Sequence, residues 1–138
     1  MREVPVSILK ENPMRYAKSM FYVDNAKDAA EFFGTAFGLQ TQVYGEGYAE
    51  VAAGDTKLAF GTLEAAGNHL PGQPLEVADP ARVTGVLSFV ADDVDAAYQQ
   101  AVTAGAESLV EPTDREWGQR AAFVRAPGGL VLEIGNFA

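Results

Sequence analysis

The chain contains no cysteine and a single histidine, His69, so thiolate chemistry is excluded and any histidine-based acid–base scheme must run through one residue. That histidine stands in "AGNHLPG", beside a turn signal, where a solvent-exposed loop position is the ordinary reading. No serine sits in a recognisable nucleophile turn, and no pair of residues stands out at catalytic spacing. Glu133, in "LVLEIG", is the carboxylate of most interest: strand side chains alternate, so with Leu132 and Ile134 turned inward it points to the opposite face. Asp24, Asn25, Asp92 and Asp93 suggest a metal at first sight, but each pair stands immediately before a helical pattern and is better read as capping. Trp117, in "EWGQR", has a large flat face that can stack on a planar or cationic ligand, or can cover the end of the core or a subunit contact. From the strand that follows, Gln119 and Arg120 can hydrogen-bond a ligand, and Arg120 can equally extend outward to solvent.

The elements that must position these residues are written twice. "FYVDNAKDAAEFF" leads through Gly38 to a hairpin and the strand "TKLAFG", and "SFVADDVDAAY" leads through Gly105 to a hairpin and "LVLEIG". Asn25 matches Asp93, Gly38 matches Gly105, and Leu58-Ala59-Phe60 matches Leu132-Glu133-Ile134, with a short insertion late in the second copy. In the first copy, residues 18 to 24 alternate as a strand. Ala26, Ala29, Ala30, Phe33 and Phe37 then fall at helical spacing between an Asn25 cap and a Gly38 stop. Three short strands follow, broken near "GEG" and at Ala53-Gly54-Asp55. The second copy places a strand at Gly85 to Ala91, a helix from Val94 to about Ala104 capped by Asp93, and strands near Ser108 to Val110, Gln119 to Arg125 and Leu130 to Gly135. Residues 62 to 83, with three prolines and no sustained period, read as a linker.

The fold class is therefore α+β: an N-terminal extension at 1–17, a β-α-β-β-β unit at 18–61, the linker at 62–83 and a second such unit at 84–138. Units this short share one core, and 138 residues at 48% hydrophobic content suffice for it. The expected form is a curved mixed sheet with helices on its outer face and a concave groove on the other, where small molecules bind. Phe21, Phe60, Phe89, Leu58 and Leu132 alternate toward the helices as core, and Phe32, Phe33 and Phe37 belong to the first helix as core or interface. Met20 and Tyr22 share a strand face with Lys18 and, with Tyr48, are the next groove candidates. A net charge of −9 argues against nucleic acid and is compatible with attracting cations, although solubility alone accounts for it. The N-terminal stretch, with Pro5 and charges after a short apolar run, resembles neither a signal peptide nor a membrane span. The absence of cysteine is compatible with a cytoplasmic location.

The paired units, with "ADDVDAAYQQAVTAGAESLVEP" and "WGQRAAFVRAPGGLVLEI", resemble the vicinal oxygen chelate superfamily, which includes glyoxalase I, extradiol dioxygenases and the fosfomycin and bleomycin resistance proteins. The resemblance covers about residues 18 to 136. In that superfamily's enzymes, the first and last strands of each unit offer metal ligands, which implies the positions Lys18, Ala59, Val86 and Glu133 here. Only Glu133 is a ligand type, whereas a catalytic metal site needs about three protein ligands and a lysine ammonium repels the ion. The resemblance thus points to the metal-free, antibiotic-resistance branch. "EWGQR" is similar to the mitomycin-type proteins, although the hairpin Ala126-Pro127-Gly128-Gly129 lacks their aspartates.

What this implies is a metal- and cofactor-independent protein that binds a planar or cationic small molecule, such as an antibiotic, and sequesters it without catalysis. The ligand would lie among Trp117, Tyr22, Tyr48, Met20, Lys18, Glu133 and Arg120, with Lys18 and Glu133 paired where the metal stood, in a homodimer. The alternatives are a metal-dependent enzyme of glyoxalase or dioxygenase type whose ligands lie elsewhere in the chain, and an interaction module with an empty groove.

Overall fold

The computed structural model describes residues 14–67 and 69–137, with the side chain of Trp117 outside the described part. The first unit runs β1 (Lys18–Tyr22), α1 (Ala26–Phe37), β2 (Thr41–Tyr44), β3 (Tyr48–Ala53) and β4 (Thr56–Gly61). A short helix α2 (Leu63–Gly67) opens the intervening segment. The second unit follows as β5 (Val86–Val90), α3 (Val94–Thr103), β6 (Glu107–Asp114), a 3-10 turn at Glu116–Gly118, β7 (Arg120–Arg125) and β8 (Val131–Gly135). The curved sheet expected from the sequence is made of two four-stranded mixed sheets, ordered β1-β4-β3-β2 and β5-β8-β7-β6. In each, the outer strand runs parallel to the unit's last strand, which requires a crossover, and the helix supplies it.

Capping fixes the two long helices as the sequence indicates. Asn25 and Asp93 accept from the backbone N–H groups of Asp28 and Ala96, each at 3.0 Å. Gly38 closes α1 at φ +70°, donating its N–H to the Gly34 carbonyl at 3.0 Å, a conformation that strains any residue with a Cβ. The aromatic stripe of α1 joins the two units. Phe33 stacks on Phe60 of its own sheet at 5.7 Å and meets Phe89 of the second unit at 6.0 Å, while Phe37 approaches Phe89 at 5.2 Å. Phe33, Phe60 and Leu132 are fully buried, so one core serves both copies. Phe21 and Phe89, expected as plain core, are only partly buried at its margin because their strands lie at sheet edges.

Two segments differ from the sequence reading. Residues 63–67, taken as linker, form a helical turn because the Thr62 hydroxyl accepts from the Ala65 N–H at 3.3 Å, a cap local enough to act without a long apolar period. Strand β6 runs on to Asp114, well past Val110, because register shifts after Ser108 and Val110 let it pass Pro112 while staying paired with β7. Among the described residues no helix is long and apolar enough to cross a membrane.

Candidate functional site

On the open face of the first sheet, strand alternation and register bring together Lys18, Met20 and Tyr22 of β1, Lys57, Ala59 and Gly61 of β4, and Tyr48, Glu50 and Ala52 of β3. The small residues leave space that the long ones fill. Lys18 Nζ donates to the Tyr48 hydroxyl at 2.6 Å and lies 4.9 Å from that ring's centre, and the same hydroxyl donates to Glu50 Oε2 at 2.7 Å. Lys57 Nζ donates to Glu50 Oε1 at 3.3 Å, and Lys18 Nζ stands 3.8 Å from Oε2. This network roofs over Ala59, which is completely buried. Its hydrogen bonds set the protonation states. The Tyr48 oxygen, accepting from the ammonium, raises the Lys18 pKa above the ordinary 10.5. The Tyr48 hydroxyl, donating to Glu50, holds that carboxyl below the ordinary 4.5. Burial, followed by the bond to Glu50, lifts Tyr48 above 10.0, so it remains a phenol.

The ion pair drawn from the sequence between Lys18 and Glu133 is not formed, because the two residues belong to different sheets and β3 places Glu50 closer to the lysine. Glu133 instead accepts from the Ser88 hydroxyl at 2.7 Å, the parallel register of β5 and β8 setting those residues side by side. Its carboxylate, which forms no ion pair among the described residues, faces an open cleft of about 660 Å³ bounded by Asp114, Arg115, Glu116, Gln119, Ala121 and Phe137. Beside Glu133 across the β7–β8 pairing, Phe123 carries the Arg115 guanidinium 5.7 Å above its ring. The 3-10 turn holding Trp117 adjoins this cleft through Glu116, and the position of the indole lies outside the described residues. The volume falls in the range of small-molecule pockets.

The remaining candidates border other spaces. Met20 and Tyr22 reach a separate cavity of about 310 Å³ between the units, walled by Val77, Arg82, Leu130 and Val131. Arg120 is turned to the helix side with Ala122 and Val124, where it bonds Asp114 at 2.8 Å and Asp95 of α3 at 3.0 Å. These two carboxylates, Asp114 foremost, raise its pKa. Alternation from a strand start explains the correction: Arg120 and Glu133 belong to opposite faces. His69 is exposed in the turn after α2, its backbone N–H bonded to the Ala66 carbonyl at 2.9 Å.

The four positions that the resemblance assigns to a metal do not fit one. Lys18 presents a hydrogen-bonded ammonium, Ala59 lies buried beneath it, and Val86 offers only methyl groups. Among the described residues no three histidine, aspartate or glutamate side chains converge as a metal would require. Sequence reasoning missed Glu50 and Lys57. Alternation along β3 and β4 carries the signal for both, since Glu50 follows Tyr48 by two residues and Lys57 precedes Ala59 by two. Ser88 was not legible in the same way, because its place beside Glu133 depends on a parallel register.

No curated protein is similar enough in sequence to match. Solved structures match in fold. A glyoxalase/bleomycin resistance protein/dioxygenase family enzyme from Burkholderia phytofirmans PsJN has a TM-score of 0.75 at 19% identity over 86% of this chain and 95% of that one. A lactoylglutathione lyase from Agrobacterium tumefaciens has 0.65 at 19% identity over 89% and 93%. TioX from Micromonospora sp. ML1 has 0.64 at 17% identity over 91% and 100%. At these identities the likeness is one of fold alone. The model of the Glyoxalase/Bleomycin resistance protein/Dioxygenase superfamily matches residues 15–134, nearly the whole chain, and the protein belongs to that superfamily.

Proposed function

We propose that this protein binds a small, cationic and partly planar molecule, an antibiotic being one such compound, without a metal, in the cleft over the second sheet. It acts by holding the molecule rather than converting it. The observation that carries this reading is Glu133, whose carboxylate is steadied among the described residues by one hydroxyl and faces open space beside Phe137 and the backbone of the Trp117 turn. A bound cation would complete the pair, and the Phe137 ring would take its flat face. The chain's net charge of −9 favours the approach of such a ligand. Val86 and Val90, 45% and 55% exposed on β5, border the same open face and support a homodimer in which a second copy covers them.

Titration of the purified protein with ethidium, a planar cation, in a calorimeter tests the binding, together with elemental analysis of protein prepared without chelator. Saturable one-to-one binding weakened about tenfold by Glu133→Gln, a difference of about 1.4 kcal/mol, is expected. Stoichiometric zinc, nickel, manganese or iron, or equal binding by the variant, overturns the reading. Sedimentation of the wild-type chain as a monomer would remove the dimer.

A further inference from the structure

The open face of the first sheet has the opposite chemistry from the cleft over the second. Glu50 is 13% exposed and both its oxygens are engaged, Oε2 by the Tyr48 hydroxyl and Oε1 by Lys57. Above it stand two ammonium groups, Lys18 and Lys57, 39% and 55% exposed. Among the described residues two cations thus share one carboxylate, which leaves one positive charge unbalanced there, on a chain whose net charge is −9. Among the described residues Lys18 gives one of its three N–H donors to a side chain, Tyr48, and that bond fixes the ammonium in place rather than consuming it. The adjoining Tyr44 ring, 5.8 Å from that of Tyr48, is 53% exposed. An aromatic surface therefore borders a preorganised pair of donors.

We infer that this face binds the carboxylate of a small aromatic acid between the ammonium groups of Lys18 and Lys57, with the ligand ring against Tyr44. A carboxylate there completes the charge balance that Glu50 leaves short and accepts from donors already positioned, so little ordering is lost on binding. A cation would meet two ammonium groups before reaching the buried Glu50, so this site excludes the ligand class that the Glu133 cleft admits. It does not depend on that cleft being occupied.

Benzoate titrated into the ¹⁵N-labelled full chain tests the inference. Saturable shifts confined to the amides of Lys18, Glu50, Lys57 and their strand neighbours are expected. Lys57→Met should weaken binding at least fivefold, Lys57→Arg should restore most of it, and added salt should weaken it further. Glu133→Gln should bind benzoate as the wild type does, and Lys57→Met should keep its affinity for ethidium, which separates failure of this site from failure of the other. Shifts scattered over the whole chain, or an unchanged affinity in Lys57→Met, would overturn the assignment.

Discussion

Replacing Tyr48 by phenylalanine removes one oxygen from the centre of the first-sheet network and leaves the rest of the side chain in place. The ring stays beneath Lys18, so the contact at 4.9 Å survives, and what is lost is the acceptor for Lys18 at 2.6 Å and the donor to Glu50 at 2.7 Å. Each is a hydrogen bond to an ion, of the kind that contributes about 1.5–3 kcal/mol net. Lys18 can close its 3.8 Å gap to Glu50 and recover part of this, and its exposure puts the remainder at the low end, about 2 kcal/mol in all. For a domain of this size that is a fall in Tm of about 8 °C. The loss should also depend on pH with a definite sign. Because the Tyr48 hydroxyl holds the Glu50 pKa below 4.5, the stabilisation is present above the unfolded-state value and disappears as pH falls through the lower folded-state value. Thermal and urea denaturation of the two proteins between pH 7 and pH 3 should therefore show curves that draw closer in acid by the share that Glu50 carries, the Lys18–Tyr48 bond being unaffected there. The control is Tyr44→Phe, whose 53% exposed ring should tolerate the change within about 0.5 kcal/mol. If Tyr48→Phe costs no more than this control at pH 7, or if the difference grows in acid, the network does not stabilise the fold as described.

Two other perturbations address what holds the units together. Arg125, its side chain 13% exposed, donates to the carbonyls of Gly129 at 3.2 Å and Pro80 at 3.1 Å and so fastens the inter-unit segment to the β7–β8 hairpin. Arg125→Met should cost about 2 kcal/mol and speed amide exchange across residues 76–85; unchanged exchange there would show that the segment is held by other contacts. Phe33→Ala should cost about 3–5 kcal/mol because the ring is fully buried between Phe60 and Phe89. Fluorescence and circular dichroism should still report one coincident urea transition, whereas two separated transitions would mean that the units fold independently.

Much of the framework was legible because its determinants are local. Asn25, Asp93 and Gly38 act on backbone groups within one turn of themselves, and the alternating stretches around Tyr48–Ala53 and Thr56–Gly61 announce their own hairpin. The doubling added that each copy is one β-α-β-β-β unit sharing a core with the other, but not the order of strands within each sheet. The helix at Leu63–Gly67 escaped because its cap, Thr62, stands in a stretch that prolines and glycines otherwise dominate.

The candidate site was legible only as a set of positions. Lys18, Tyr48 and Glu133 could be placed on open sheet faces from strand alternation, but their partners could not. Lys18 finds Tyr48 30 positions along the chain and Ser88 finds Glu133 45 positions along. Arg120 goes to α3 and away from the cleft, because a strand's starting phase decides which face each side chain takes. The sequence by itself determined two copies of one unit and the caps and turns that shape each, and its family resemblance singled out four strand positions of which one, Glu133, is a carboxylate. Tertiary structure alone decided that this carboxylate stands apart from Lys18 and that the lysine serves a second, oppositely charged face, because register and the order of strands in a sheet are set by the packing of the whole core.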